Sequence, residues 1–267
     1  IRSLNLVSGG LDSILAVRIL QEQGISVTGI SFQSGFFGTE RAEKAAEYLG
    51  VELIKYDFKE EHWEMTKNPA HGYGKNFNPC IDCHALMLAK AKLVAAESGF
   101  DIIATGEVLG QRPMSQNKQS LLKIEKITGL ENQILRPLSA LKLSPTIYEE
   151  IGKVDRTKLA GIEGKGRYEQ IALAEKWGIS DYPAPAGGCL LTEIAIGKRL
   201  KDLVKVFPHA DLATAELVQI GRHYWYEDFL LIVTRNKEDT EKLYSLNIAQ
   251  FPILKLEHQT GPHVVIV

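Results

Sequence analysis

The sequence predicts an α/β fold, a doubly wound parallel sheet followed by a small C-terminal α+β domain. Three observations carry that prediction. A short apolar run, residues 4–7, ends in Ser8-Gly9-Gly10 and passes at once into an amphipathic segment, 11–23. Apolar, β-branched runs then alternate with helix-period segments as far as residue 178, a rhythm that requires parallel crossovers. Past 208–213 the runs shorten and the alternation changes.

In chain order, 25–32 reads as the second strand, with a loop over 33–38 at its end. Residues 40–49 put Ala42, Ala45, Ala46 and Leu49 on one face, a helix stopped by Gly50, and 51–58 is a third strand. The segment 84–98, with Leu86, Leu88, Leu93 and Val94 among alanines, is a helix ended by Gly99. Cys83 then falls at or just before a helix N-terminus, where the dipole favours thiolate. A fourth strand, 100–104, ends in Thr105-Gly106-Glu107, and 134–138 reads as a fifth. Ser144 as N-cap and Pro145 at the first helical position introduce a helix over 146–154. Helices follow at 168–177 and 193–207, the latter basic on one side through Lys198, Arg199, Lys201 and Lys205. Between them, 182–189 is rich in proline and glycine and has neither period. The final segment gives strands at 229–234, 253–256 and 264–267 and a charged helix at 237–246.

The glycine turn after the first strand suits a phosphate. It aims backbone N–H groups and the positive end of a helix dipole at one point, and its glycines let an anion approach the backbone. Ser8 and Ser13 add hydroxyls. No Gly-Lys-Ser/Thr follows, so this is not a Walker A loop, and the glycine spacing is wrong for a dinucleotide fingerprint. In a doubly wound sheet ligands sit outside the carboxyl ends of the strands, where this turn also lies.

Bulk properties narrow the rest. The net charge of −2 excludes a globally basic surface, so any nucleic-acid contact must be local. No apolar run approaches the ~20 residues of a membrane span and no signal peptide is visible, so a cytoplasmic protein with no membrane partner is expected. The sequence opens on Ile1 and closes on Val264-Val265-Ile266-Val267, so trimmed ends are expected. Three cysteines are too few for a disulfide scaffold and point to thiol or metal chemistry. Cys80 and Cys83 have C-x2-C spacing, with Cys189 far downstream. That spacing serves a redox pair, half a zinc site completed by His84 or His71, or an iron–sulfur site. The plain alternative is three buried small hydrophobes.

The run Ser8-Gly9-Gly10-Leu11-Asp12-Ser13 resembles the PP-loop of the ATP pyrophosphatases, which cleave ATP between the α and β phosphates and adenylate a substrate. Together with Asn78-Pro79-Cys80-Ile81-Asp82-Cys83, Thr105-Gly106-Glu107, Leu109-Gly110-Gln111 and Gly187-Gly188-Cys189, it resembles PP-loop tRNA thiolases over about residues 1–205. The Gly-Glu-x-Leu-Gly-Gln run is similar to 4-thiouridine synthetases, the Asn-Pro-Cys-Ile-x-Cys run to 2-thiouridylases. The tail, with Ile220-Gly221-Arg222-His223 and Gly261-Pro262-His263, is similar to the RNA-binding domain of the NFACT family.

The resemblance implies a PP-loop ATP-binding domain over 1–178, a cysteine-bearing segment with its basic helix over 179–210, and an RNA-binding module over 211–267. It implies ATP-dependent thiolation of a tRNA uridine, with a sulfide or persulfide carrier as sulfur donor. ATP would bind through Ser8, Gly9, Gly10, Leu11, Asp12 and Ser13, with adenine near Ser31 and Phe32 and a wall at Thr105 and Gly106. Asp12 would partner Mg²⁺ or organise the loop, and Asp12, Cys80 and Cys189 would be catalytic. Cys80, Cys83 and Cys189 would hold a [4Fe–4S] cluster; other relatives use the cysteines as persulfide and disulfide with no cluster, and zinc stays open. Lys165, Arg167, Lys198, Arg199, Lys201 and Arg222 are expected to contact RNA phosphates. The competing readings are an adenylating synthetase or amidotransferase for a small molecule, and a non-catalytic RNA-binding or sulfur-carrier protein.

Overall fold

The computed structural model describes residues 1–183 and 188–267. Strand β1 (Arg2–Leu6) leads through 7–10 into helix α1 (Leu11–Gln21), then β2 (Ser26–Gln33), α2 (Glu40–Leu49), β3 (Leu53–Asp57), α3 (Lys59–Lys67), α4 (Cys80–Ser98) and β4 (Ile102–Thr105). Helix α5 (Lys118–Thr128), the two-residue strand β5 (Ile134–Leu135), α6 (Ile147–Glu150) and α7 (Tyr168–Lys176) complete the first part. The strands pair in parallel in the order β3-β2-β1-β4-β5, so the predicted parallel sheet is present. From β3 the chain jumps back to lay β4 on the other side of β1, which makes β1/β4 the switch point where ligand crevices form.

Both faces of the sheet are covered. Leu11, Leu15 and Leu20 of α1, Ala42 and Ala45 of α2, and Ala174 of α7 form the core on one face. Ala85, Leu88, Ala91 and Ala95 of α4 pack with Ile124 of α5 against Leu4, Ile30 and Ile103 on the other. The alanine-lined face of α4 lets that helix lie close to the sheet, which matters because its first turn carries two of the three cysteines.

Past residue 188, a short 3-10 turn (Leu190–Thr192), α8 (Ile194–Val206) and α9 (Leu212–Leu217) lead to β6 (Arg222–Tyr226), β7 (Phe229–Val233), α10 (Lys237–Ser245), β8 (Ile253–Leu254) and β9 (Val264–Ile266). The four strands form a second sheet, antiparallel in the order β6-β7-β9-β8. Its core is continuous with side chains from the first part: Phe36, Trp63 and Phe77 pack with Leu200, Leu217, Leu230 and Ile232. Trp63 Nε1 also donates to the Ala210 carbonyl at 2.8 Å.

Several local expectations needed correction. Helix α4 begins at Cys80, four residues before the expected start at 84, so Cys83 lies within its first turn. The helix expected over 146–154 is one turn, Ile147–Glu150, and its cap is Thr146, not Ser144. Thr146 and Glu149 satisfy each other's backbone amides in a capping box, which fixes the start two residues later. The strand expected over 134–138 keeps only its first two residues. Helices α3, α5 and α9 and strand β6 had no counterpart in the sequence reading. Of the stretch 182–189, residues 184–187, including Gly187 of the glycine–cysteine motif, lie outside the described residues.

Candidate active site

The site is built on the loops leaving the carboxyl ends of β1, β2 and β4 and on the first turn of α4. The β1 loop fits under α2 only because of its glycine. Gly9 has φ +75°, and a Cβ there would lie 2.3 Å from both the carbonyl carbon and oxygen of Arg41. Gly106 closes the opposite side: a Cβ there would meet the Ser13 amide nitrogen at 2.6 Å. The Thr105-Gly106 wall therefore sits directly against the first turn of α1, whose leading amides have no acceptor within the helix.

Within the loop, the Ser13 hydroxyl donates to the Gly10 carbonyl at 2.8 Å and Ser8 Oγ accepts from the Gly10 amide at 3.4 Å. Both hydroxyls thus shape the turn as well as lining it. Leu11 is buried core. Asp12 is held on one side only: its Oδ2 accepts from Gln111 Nε2 at 2.7 Å, while Oδ1 is buried with no hydrogen-bond partner. Gln111 is oriented in turn by Gln170 Nε2, 3.2 Å from its Oε1. A carboxylate oriented through one oxygen and unsatisfied at the other matches what a Mg²⁺ ion accompanying phosphates requires.

Ser31 and Phe32 are both buried, and the Phe32 ring packs between Tyr56 and Phe58, at 5.6 and 5.2 Å between centroids. That ring belongs to the core, and the segment beyond it, 33–38, is tied to the residue after Cys189 through the Phe36 carbonyl. Thr105 is also buried and its hydroxyl bonds Glu107 Oε2 at 3.1 Å.

Behind the wall lies a charge cluster that no sequence motif revealed beyond the single residue Glu107. Glu107 accepts from Arg136 Nε at 3.0 Å and pairs with His84 Nδ1 at 2.9 Å. Arg136 also reaches Glu125 at 2.5 Å, and all three of Arg136, Glu107 and Glu125 are buried. Burial alone would raise the Glu107 pKa, but Arg136 and His84 outweigh it and hold the carboxyl at about 2. The cluster ties α4, the β4 loop, α5 and the end of β5 together. Only the long-range fold, not local spacing, brings these groups to one place.

The cysteines converge from two distant segments. Cys80 and Cys83 sit in the first turn of α4. Asn78 Nδ2 donates to Cys80 Sγ at 3.1 Å, and Asp82 holds His71 through its backbone amide and its Nδ1 at 3.0 and 2.8 Å. The segment after Cys189 is clamped twice. The Leu190 amide donates to the Phe36 carbonyl at 3.1 Å, and Asn76 Nδ2 donates to the Thr192 carbonyl at 2.5 Å. As a result all three thiols lie within electrostatic reach of one another.

The expected thiolate at Cys83 is corrected by its surroundings. Burial raises its pKa well above the ordinary value, and Cys189, Cys80 and Asp82 push the same way. Burial likewise raises Cys189 to about 11, with Cys80 adding to it and Arg112 opposing. The β4 loop meets both sides of the site: Gln111 holds Asp12, and Met114 Sδ lies 3.9 Å from Asn78 Nδ2, the donor to Cys80 Sγ. Among the described residues no three His, Cys, Asp or Glu side chains are arranged to hold a metal ion.

The predicted RNA contacts divide. Lys165, Lys198, Lys201 and Arg222 are exposed and Arg167 is half-buried. Arg199 is committed elsewhere, donating to the carbonyls of Val218 at 2.8 Å and Gly221 at 3.2 Å, where it stabilises the end of α9.

The family described as thiamine biosynthesis protein (ThiI) matches residues 2–152, more than half of the chain. The chain belongs to the ThiI family. That match takes in β1 through α6 and so covers the phosphate turn, Cys80, Cys83 and the β4 loop. The chain is 25% identical over 234 residues to a tRNA-specific 2-thiouridylase MnmA of Marinobacter nauticus, covering 81% of this chain and 57% of that one. It is 36% identical over 114 residues to the protein of that name from Treponema denticola, covering 38% and 31%. The chain thus spans less than two thirds of the length of either relative. Among solved structures, a 4-thiouridine synthetase–RNA complex with bound ATP aligns with a TM-score of 0.46 at 20% identity, covering 81% of this chain and 53% of that one. No helix among the described residues is long and apolar enough to cross a membrane.

Proposed function

We propose that this protein is an ATP-dependent sulfurtransferase that thiolates a uridine in tRNA. The observation that carries the reading is the joining of two chemistries at one crevice. The β4 loop holds Asp12 through Gln111 and, through Met114, lies against Asn78, the donor to Cys80 Sγ. Membership of the ThiI family and relatives named as tRNA 2-thiouridylases support it.

The backbone amides of Gly10, Leu11 and Asp12 and the hydroxyls of Ser8 and Ser13 would cradle the phosphates, with Mg²⁺ on the unpartnered Asp12 oxygen. Thr105 and Gly106 would wall the nucleotide, and the buried Ser31 and Phe32 would support that wall from the core beneath it. The uracil carbonyl oxygen bonds the α phosphorus as the α–β bond breaks and pyrophosphate leaves. A sulfide-level donor then bonds the ring carbon, and AMP departs with that oxygen. A base inside folded tRNA must be extruded to reach the crevice. Lys165, Arg167, Lys198, Lys201 and Arg222 would hold the backbone around it, with the 211–267 module as the main grip.

Three thiols are the donor set of a [4Fe–4S] cluster with one open iron, but Cys80, Cys83 and Cys189 are not grouped to hold a metal ion as they stand and would have to draw together to take one. Such a cluster, when bound, supplies an open iron for the sulfur atom. Without it, a persulfide carrier would pass its outer sulfur to Cys80, that sulfur would bond the ring carbon as AMP departs, and Cys189 would attack Cys80 Sγ, releasing the thiouridine and leaving a Cys80–Cys189 disulfide. Iron and acid-labile sulfide analysis of anaerobically purified protein separates the two. The activity itself is tested by incubating the chain with ATP, Mg²⁺, tRNA and, in parallel reactions, sulfide or a persulfide donor. AMP and thiouridine together support the reading. Release of ADP, or AMP with no tRNA dependence, rejects it in favour of a small-molecule adenylator.

A further inference from the structure

The loop over 33–38 is gripped from two sides. The Phe36 carbonyl takes the Leu190 amide at 3.1 Å, which pins the residue after Cys189. The adjacent Gly35 carbonyl takes Gln219 Nε2 at 2.7 Å, from the turn that follows α9. Two neighbouring carbonyls of one strip thus accept one bond from the cysteine segment and one from the C-terminal module. Gly35 lies so close to α9 that a Cβ would sit 2.9 Å from Leu212 Cδ1 and 3.0 Å from Glu216 Oε1.

Neither end of this connection is slack. Ahead of α9, the Ala210 carbonyl accepts from Trp63 Nε1 at 2.8 Å and from Lys67 Nζ at 3.3 Å. The strip itself is braced by Ser34, whose amide donates to the Phe37 carbonyl and whose Oγ accepts the Phe36 amide, both at 2.9 Å. Phe36 is fully buried. A displacement at Gln219 is therefore passed to Leu190 rather than absorbed.

We propose that Gln219 is a positioning residue for sulfur transfer: through Gly35 and Phe36 it holds Cys189 in register with Cys80 and Cys83. The functional half of this inference rests on the thiolation reading. The nucleotide machinery lies on the β1 and β4 loops, outside the strip. Loss of the clamp should therefore leave adenylation running and uncouple it from sulfur insertion. Misplacement of a reacting group by about 1 Å can cost about a hundredfold in rate.

The test uses the full chain with two readouts. The first is thiouridine formed per AMP released. The second, independent of catalysis, is the rate of iodoacetamide modification of Cys189, followed by peptide mass spectrometry. Gln219→Glu keeps the shape but cannot donate. It is expected to lower the thiouridine-to-AMP ratio at least threefold and to raise Cys189 modification at least threefold, with the AMP rate unchanged. Gln219→Lys, which restores a donor, should recover both. An unchanged ratio together with unchanged Cys189 modification overturns the proposal, as does an equal fall in AMP and thiouridine. If the wild-type chain forms no thiouridine, the functional reading has failed, and Cys189 modification alone still decides whether the clamp exists.

Discussion

His62 offers a quantitative check on how the site is supported. It is fully buried on α3, neither ring nitrogen has a hydrogen-bond partner, and it is ringed by Phe36, Phe37 and Phe58 at 5.0 to 6.1 Å between centroids. Burial lowers its pKa from 6.5 to about 4. The folded state therefore binds fewer protons than the unfolded state, and stability present above pH 6.5 is lost as pH falls toward about 4. Between pH 7 and pH 5 that linkage amounts to about 2 kcal/mol. His223, lowered to about 4 by burial and by Arg199, adds a loss of the same sign. His62→Leu should be at least as stable as the wild type at pH 7, since it removes two unsatisfied nitrogens at nearly constant volume. It should also lose about 2 kcal/mol less between pH 7 and pH 5. Urea unfolding of both proteins at the two pH values measures this. Equal pH dependence in wild type and variant would refute the assignment of a buried, neutral His62.

Other outcomes follow from the same contacts. Arg136→Met leaves Glu107 and Glu125 buried without their cation and should cost about 3–5 kcal/mol, read as a fall in thermal midpoint. Gly9→Ala requires both a left-handed backbone and a 2.3 Å approach to Arg41, so ATP binding measured by calorimetry should vanish or the protein should fail to fold. Gln111→Leu removes the orienting bond to Asp12 and should slow pyrophosphate release about ten- to a hundredfold, with a thermal midpoint near that of the wild type.

The readable parts of the sequence were those whose physics is local. The β1 turn, the Gly50 and Gly99 stops and the alanine face of α4 each carry their cause within a few residues. So does the C-x2-C pair, although its thiol chemistry was misjudged: a helix dipole is visible in sequence, but the desolvation that overrides it is not. Helix α3 is short and mostly charged, and of its three buried residues, His62, Trp63 and Thr66, only Trp63 is apolar, so it has no apolar period to detect. Strand β6 reads Arg-His-Tyr-Trp-Tyr with most of its residues exposed, and only pairing with β7 makes it a strand. Gln170, Arg136 and Gln219 act through partners 29 to 184 residues away, and no local spacing marks such residues. Arg199 shows the converse: a basic helix face suggested phosphate contact, and the fold uses that guanidinium to finish α9.

The proposed thiolation requires one crevice that both activates a base with ATP and delivers sulfur to it. A single reaction of the chain with ATP, Mg²⁺, unmodified tRNA and sulfide or a persulfide donor, quantifying AMP, pyrophosphate and tRNA thiouridine together, tests it. Equimolar AMP and thiouridine are expected, both abolished by Asp12→Ala, with thiouridine alone abolished by Cys189→Ala. Thiouridine formation that survives Asp12→Ala, or that is indifferent to all three cysteines, would contradict it.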